Sequence, residues 1–465
     1  AFSPHIRSPS PASVRCAFNG GRAVSVCVFA AVLPVLAECA VISEPTPMQD
    51  GIMISRGGAT LPQKADGKYG SVGGGGSPTN RGLHHNAGTL HEMELRRLLH
   101  QVRCWLRVMF VLANNLYCIP TYLAWMWVIF YPLRVLLPPL YWAIERQLFR
   151  LLLLMVSFWS WSAEYYVDEV GEDVSECYGD RSLVLVNHQS TADVPLLMAS
   201  FQGKRSVTEH LMWIMDRLFK YTNFGAVSMT HGDFFITQGK DTRNTQLQRL
   251  RDHIAEVYLR RGLKWVVLFP EGGFLHKRRA TSQRYARANG YPILEHVTLP
   301  RVGAMKTVLE TLTAENLAKT HKGEEPLKWV VDITIGYPDM GKPLDLFVIS
   351  GGFRKQCVVH MHYRRFPIAE LPIHDTEALT KWLYDRWAEK EDLLDIFYRT
   401  GRFPGRLHQG GGDVDGKKDL APLRETPLRV DFNIVWIVLV HAFFIMSTLF
   451  HVALFRWLFS LVPLW

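Results

Sequence analysis

Cysteine is scarce and unpatterned in this chain: seven residues in 465, an odd number with no Cys-x-x-Cys pair. That excludes a zinc ribbon and a disulfide framework as organising devices, and fits thiols kept reduced on the cytosolic side. No internal repeat is present, which excludes a solenoid or propeller. The net charge of +9 favours an anionic partner, but no nucleic-acid recognition motif accompanies it. Metal ligands are equally thin. His360-x-His362 offers two without a third and reads as ordinary strand surface, so no metal is expected.

Charge is missing from two long stretches. Residues 104–163 hold only Arg107, Arg134, Glu145, Arg146 and Arg150, and residues 432–465 hold only Arg456. Apolar runs of that length need lipid or a large core. Residues 108–131 suffice to span a bilayer core of about 30 Å at roughly 1.5 Å per residue, although Asn114, Asn115 and Pro120 weaken the span. Residues 148–161 are too short for that and read as a re-entrant or interfacial helix, with a buried helical hairpin as the competing reading. The clustered Trp and Tyr side chains suit the headgroup level. The C-terminal run reads as a transmembrane helix, in which His441 and His451 are expected as neutral side chains facing a partner helix.

Residues 1–90 read differently. An apolar run at 23–42, broken by Pro34 and Glu38, precedes a Gly/Ser-rich linker around Gly73 and Gly76. We treat them as a low-complexity extension, with an artefact of gene prediction open as its origin and Met48 or Met53 as alternative starts.

Between the greasy segments, short β-branched runs at 182–186, 226–229, 265–269, 329–335 and 358–363 alternate with helical stretches such as 242–260, where Leu247, Leu250, Ile254 and Val257 recur at spacings of three and four. This texture predicts an α/β fold, a mixed sheet flanked by helices.

Two strand ends carry chemistry. Ser182-Leu-Val-Leu-Val-Asn-His-Gln-Ser-Thr-Ala-Asp places His188 at the C-terminal end of a strand and Asp193 in the first turn of the helix that follows. A carboxylate on Nδ1 would leave Nε2 as an acceptor and stabilise the imidazolium. The same Ser190-x-x-Asp193 spacing is also a variant capping box, in which Asp193 would only satisfy helix amides. The second segment, Lys264-Trp-Val-Val-Leu-Phe-Pro-Glu-Gly-Gly, presents Glu271 at another strand end. Gly272 and Gly273 there permit close backbone approach.

Asn-His-x4-Asp followed some 80 residues later by Phe-Pro-Glu-Gly resembles the glycerolipid acyltransferase family, whose members acylate glycerol phosphates and lysophospholipids from acyl-CoA. The resemblance implies the glycerolipid acyltransferase fold, with His188 and Asp193 as the catalytic pair. Its second motif carries an arginine six residues after a glycine; here Gly225 is followed by His231. Its third continues Glu-Gly-Thr-Arg; here Glu271-Gly272 runs into Gly273-Phe274. Both usual phosphate-binding arginines are therefore absent, which speaks against glycerol 3-phosphate or lysophosphatidate as acceptor. A fourth motif, an apolar strand ending in proline, matches Val297-Thr-Leu-Pro300 with Arg301 following. The strings Tyr221-Thr-Asn-Phe-Gly, His231-Gly-Asp-Phe-Phe-Ile and Glu389-Lys-Glu-Asp-Leu-Leu extend the resemblance across residues 93–465. They point to members that remodel phospholipids in the endoplasmic reticulum membrane.

The implied acceptor is lysophosphatidylglycerol or a related lysophospholipid, with monoacylglycerol or, against the missing arginines, lysophosphatidate as the alternative. A membrane scaffold that has lost catalysis is the reading from another class. Acyl-CoA is expected as co-substrate with no bound cofactor. Residues 264–306 hold eight basic side chains against two acidic ones, and Lys277, Arg278, Arg279 and Arg301 are expected to neutralise coenzyme A or headgroup phosphates. A basic face resting on anionic lipid is the plain alternative. The resulting partition is 1–90 extension, 91–165 membrane-associated helices, 166–320 catalytic domain, 321–405 C-terminal acyltransferase-associated domain, 406–430 linker and 431–465 transmembrane helix.

Overall fold

The computed structural model describes residues 81–239, 241–339, 343–404 and 423–461. The apolar run at 23–42 and the glycine-rich linker lie outside them. The chain enters through a long helix, α1 (Arg81–Ala124), extended by a wider turn (Trp125–Ile129), then a short α2 (Tyr131–Leu136) and α3 (Pro138–Ser162). An α/β unit follows in the order β1 (Tyr165–Glu172), β2 (Arg181–Val186), α4 (Asp193–Gln202), β3 (Leu211–Asp216), α5 (Asn223–His231), β4 (Phe234–Ile236), α6 (Arg243–His253) and β5 (Trp265–Leu268). The chain continues through α7 (Leu275–Asn289), α8 (Val302–Thr311), α9 (Ala314–Thr320), β6 (Leu327–Gly336), α10 (Leu346–Gly351), β7 (Cys357–Pro367), α11 (Thr376–Thr400), β8 (Leu423–Arg429) and α12 (Ile434–Ser460).

All eight strands form one sheet in the order β4-β3-β5-β2-β6-β7-β1-β8. Pairing is parallel except for β6 with β7 and β1 with β8. Central parallel strands are covered on both faces, so they read as unbroken apolar runs. β2 and β5 are buried at every position. Side chains alternate between two cores: Val184, Val186 and Val267 face one layer, while Leu183, Leu185 and Val266 face the other.

Several expectations need correcting. Residues 226–229 are not a strand but part of α5. Thr222 caps that helix by accepting from the Gly225 amide at 3.1 Å, and Gly232 ends it at φ 107°. Val297-Thr-Leu-Pro300 is a loop, because its amides bond side chains instead of a neighbouring strand: Val297 N–H donates to Glu391 and Thr298 N–H to Glu271. β6 and β7, placed in the region 321–405, sit in the same sheet as β2 and β1, so the boundary at 320 does not separate two sheets. The 406–430 segment read as a linker contains β8. Nor is 148–161 interfacial. It belongs to α3, whose Leu148, Leu152, Leu153, Met155, Val156 and Trp159 are buried in the core.

Two helical segments, Glu92–Ile129 and Ile434–Ser460, are long and apolar enough to cross a membrane. They pack on each other, and the two histidines of α12 face α1 as expected. Tyr117 Oη meets His441 Nδ1 at 2.6 Å, Thr121 meets Thr448 at 2.7 Å, and His451 lies edge-on to Trp125. Another face of α1 rests on α3, where Trp159 Nε1 donates to Asn114 Oδ1 at 3.1 Å and Arg107 donates to Ser162 O at 2.6 Å.

Candidate active site

The site forms where β2 and β5 end side by side. Asn187 continues the pairing of β2 through its side chain, donating to Ile335 O at 3.1 Å and accepting from Ile335 N–H at 2.7 Å. That fixes the next residue, His188, at the mouth of the sheet.

Asp193 is fully buried and accepts from every side. Its Oδ2 receives His188 Nδ1 at 2.9 Å, Gln189 N–H at 2.7 Å and Ser190 N–H at 3.0 Å, and its Oδ1 receives the Tyr337 hydroxyl at 2.6 Å. Asp193 therefore orients the imidazole and also closes the loop before α4. The Ser190 amide it accepts is the reaching-back half of the capping box, but Asp193 also holds the His188 imidazole and the Gln189 amide, so it does more than satisfy the helix start. The His188 side chain is 13% exposed and stacked on Phe269, with ring centroids 4.1 Å apart and Phe274 at 4.4 Å. With Nδ1 engaged, Nε2 makes no hydrogen bond among the described residues. The ring is thus held in the tautomer that offers Nε2 as acceptor.

Glu271 is buried, with both oxygens taken by the protein. Oε1 accepts His188 N–H at 3.0 Å and Trp387 Nε1–H at 3.4 Å; Oε2 accepts Thr298 N–H at 3.1 Å and its hydroxyl at 2.8 Å. Burial pushes its carboxyl up to about 7, against the pull of these donors. Expected as a substrate contact, Glu271 instead clamps the His188 loop to the Thr298 loop and is a positioning residue. Gly272 turns the chain away at φ +71°, and a Cβ there would lie 3.2 Å from the Arg301 guanidinium. The Gly272 amide is spent on Phe269 O at 3.1 Å, whereas that of Gly273 makes no hydrogen bond among the described residues.

The remaining expected residues divide. Arg278 and Arg301 come together on one acceptor, Gln238 Oε1, the latter at 3.2 Å, and Arg278 also donates to Gly272 O at 2.9 Å. Pro300 precedes Arg301, whose amide is tied to Pro270 O at 2.8 Å. Lys277 is exposed over the Phe274 ring at 5.6 Å, and Arg279 points along the outside of α7 toward Glu295 O. Gly225 is a packing position, since a Cβ would lie 2.4 Å from the Phe219 and Lys220 carbonyls.

His231 is not a substrate contact. It is buried between Glu145 (Nδ1 to Oε1, 3.0 Å), the Leu211 carbonyl (Nε2, 2.8 Å) and Phe149, stacked at 3.5 Å. Both nitrogens face acceptors, so both carry protons. Burial draws its pKa down, but Glu145 and the other acceptors outweigh this and the net shift is upward. Sequence reasoning missed Gln238, Tyr337 and Trp387, which belong to no motif, and the role of Thr298 inside the fourth one; each reaches the site through the tertiary fold.

The sequence comparisons agree with this geometry. Residues 167–311 match the family described as Acyltransferase, and residues 352–432 match Acyltransferase C-terminus. The chain belongs to the glycerolipid acyltransferase family. It is 45% identical over 351 residues to acyl-CoA:lysophosphatidylglycerol acyltransferase 1 of Mus musculus, covering 74% of this chain and 90% of the relative. Identity to the Homo sapiens protein of the same name is 47% over 312 residues, 65% of this chain and 84% of that one. A putative 1-acyl-sn-glycerol-3-phosphate acyltransferase of Caenorhabditis elegans is 32% identical over 244 residues, 51% and 62% of the two chains.

Proposed function

We propose that the protein transfers a fatty acyl group from acyl-CoA to a hydroxyl of lysophosphatidylglycerol or a related lysophospholipid, remodelling phospholipids at the endoplasmic reticulum membrane. The carrying observation is the His188–Asp193 pair with Nε2 uncommitted at the mouth of the sheet. His188 Nε2 takes the hydroxyl proton as the oxygen attacks the thioester carbonyl. The tetrahedral oxyanion collapses, the carbon–sulfur bond breaks, and coenzyme A leaves as thiolate and recovers the proton from His188. Asp193, held by two amides and Tyr337, favours the imidazolium formed between the two steps. The Gly273 and Thr191 amides are the candidate oxyanion donors. The similarity to the mouse and human relatives supports the acceptor class.

Purified protein assayed with radiolabelled oleoyl-CoA against lysophosphatidylglycerol, other lysophospholipids, monoacylglycerol and lysophosphatidate tests this. His188→Ala is expected to abolish transfer, a loss on the order of 10² to 10⁴. Appreciable residual turnover would remove the general-base role, and preference for monoacylglycerol would replace the acceptor.

A further inference from the structure

Three arginines from separate elements meet at the mouth of the site without an acidic partner. Arg278 comes from the first turn of α7, Arg301 from the loop before α8, and Arg243 opens α6. Arg278 and Arg301 share Gln238 Oε1, and Arg301 lies against Gly272, next in sequence to the residue that holds the His188 amide. Arg243 Nη2 and Nε are 3.5 and 3.6 Å from where a Cβ on Gly303 would stand. Asp216 accepts from the other end of the Gln238 amide at 3.1 Å and from Leu218 N–H. No ion pair joins a carboxylate to any of the three among the described residues, and the charges felt by Arg301 are those of Arg278 and Arg243. Such mutual repulsion is relieved by an anion placed between the groups.

A second feature converges on the same spot. α8 begins directly after Arg301 and has no side-chain cap, and its second residue is Gly303. The opening amides of that turn have no side-chain partner, and at Gly303 no Cβ stands between the backbone and the Arg243 guanidinium.

We propose that Arg243, Arg278, Arg301 and the amino end of α8 form a phosphate-binding site that supplies the function of the two arginines absent from the positions of His231 and Gly273-Phe274. The phosphate belongs either to the phosphodiester of the acceptor or to coenzyme A. The site rests on the acyltransferase reading only for the identity of that owner.

Gly303→Asp is the discriminating variant. Neighbours at 3.4 to 3.6 Å leave ordinary room for its Cβ, and an acidic residue in the first turn of a helix is favourable for folding. Its carboxylate would occupy the site as an internal anion. In thermal melts of the full chain in detergent, inorganic phosphate is expected to raise the melting temperature of the wild type. Gly303→Asp is expected to melt higher without phosphate and to lose the response, and Arg301→Gln to lose the response alone. In turnover assays, a KM for lysophosphatidylglycerol raised at least tenfold with the KM for acyl-CoA unchanged, and monoacylglycerol turnover unaffected, assigns the phosphate to the acceptor. A raised KM for acyl-CoA with either acceptor assigns it to coenzyme A. Wild-type values for both substrates, or a phosphate response retained in Gly303→Asp, overturn the site. A wild-type protein that binds phosphate but transfers no acyl group would instead defeat the proposed reaction.

Discussion

At the scale of single residues, the site turns on two buried carboxylates with opposite tasks. Asp193 holds the imidazole, and Asp193→Asn would retain a side chain of the same shape while presenting an amide NH₂ or a neutral oxygen to three donors. Turnover is expected to fall on the order of 10²-fold or more, with the KM for acyl-CoA little changed; wild-type turnover would mean that Asp193 serves only to close the loop. Glu271 works through position. Its carboxyl is raised above the ordinary value to about 7 because burial penalises the charge. The folded protein therefore binds a proton there that the unfolded chain has already released, and the stability contributed by this group declines as pH rises from the ordinary carboxylate range through about 7. Glu271→Gln cannot ionise, so melting temperatures across that window should vary less with pH than in the wild type. An unchanged pH slope would place the titration elsewhere. The histidine and both carboxylates were legible from sequence, because His188 and Glu271 follow apolar strands and Asp193 opens the helix after the first of them, all within short motifs. The role of Glu271 was not, because nothing local shows that its oxygens reach the His188 and Thr298 amides, 83 and 27 residues away.

At the scale of elements, hydrophobic pattern identified β2, β5, β6 and β7 but not β1, β3, β4 or β8. β8 carries the sequence Leu-Arg-Glu-Thr-Pro-Leu-Arg and pairs only at the sheet edge, where apolar content is not demanded. α5 was misread because Ala226 to Met229 has no helical periodicity of its own; its capping residues and its neighbours decide the conformation. α5 also shows why position in a motif is not the same as role. His231 ends it in the core, bridging to Glu145 of α3, and Glu145 accepts the Tyr122 hydroxyl of α1 at 2.6 Å as well. One buried ion pair thus joins three helices. His231→Leu would leave Glu145 without its cation and should destabilise the protein by roughly 3–5 kcal/mol, read from chemical denaturation. His231→Arg, which restores the family residue, is expected to destabilise too, and to leave the KM for lysophospholipid unimproved. A better KM with intact stability would return position 231 to the acceptor site.

At the scale of the whole molecule, the two charge-poor stretches were legible from composition alone, and their mutual packing was not, since Tyr117 and His441 are 324 residues apart. What the fold adds is an accounting of faces. α1 and its extension give one side to α3, α5 and α10 and another to α12, while the remainder, with Leu106, Met109 and Trp127, stays uncovered. α12 has more to hide: Val435, Trp436, Leu439, Met446, Leu449, Trp457 and Phe459 are all exposed and apolar. Apolar side chains exposed along a helix long enough to span a bilayer need a cover, and a lipid phase is the one that fits its length and composition. The tryptophans make the claim measurable. Trp213, Trp265 and Trp387 are fully buried in the α/β unit, whereas Trp436 and Trp457 stand on the open face of α12. In vesicles, lipids with brominated acyl chains should quench a fraction of the fluorescence that aqueous iodide does not reach, and Trp436→Phe with Trp457→Phe should remove much of that fraction while acyl transfer continues. Iodide quenching of the same fraction would place the α12 face in water, and the apolar surface would then have to be covered by protein.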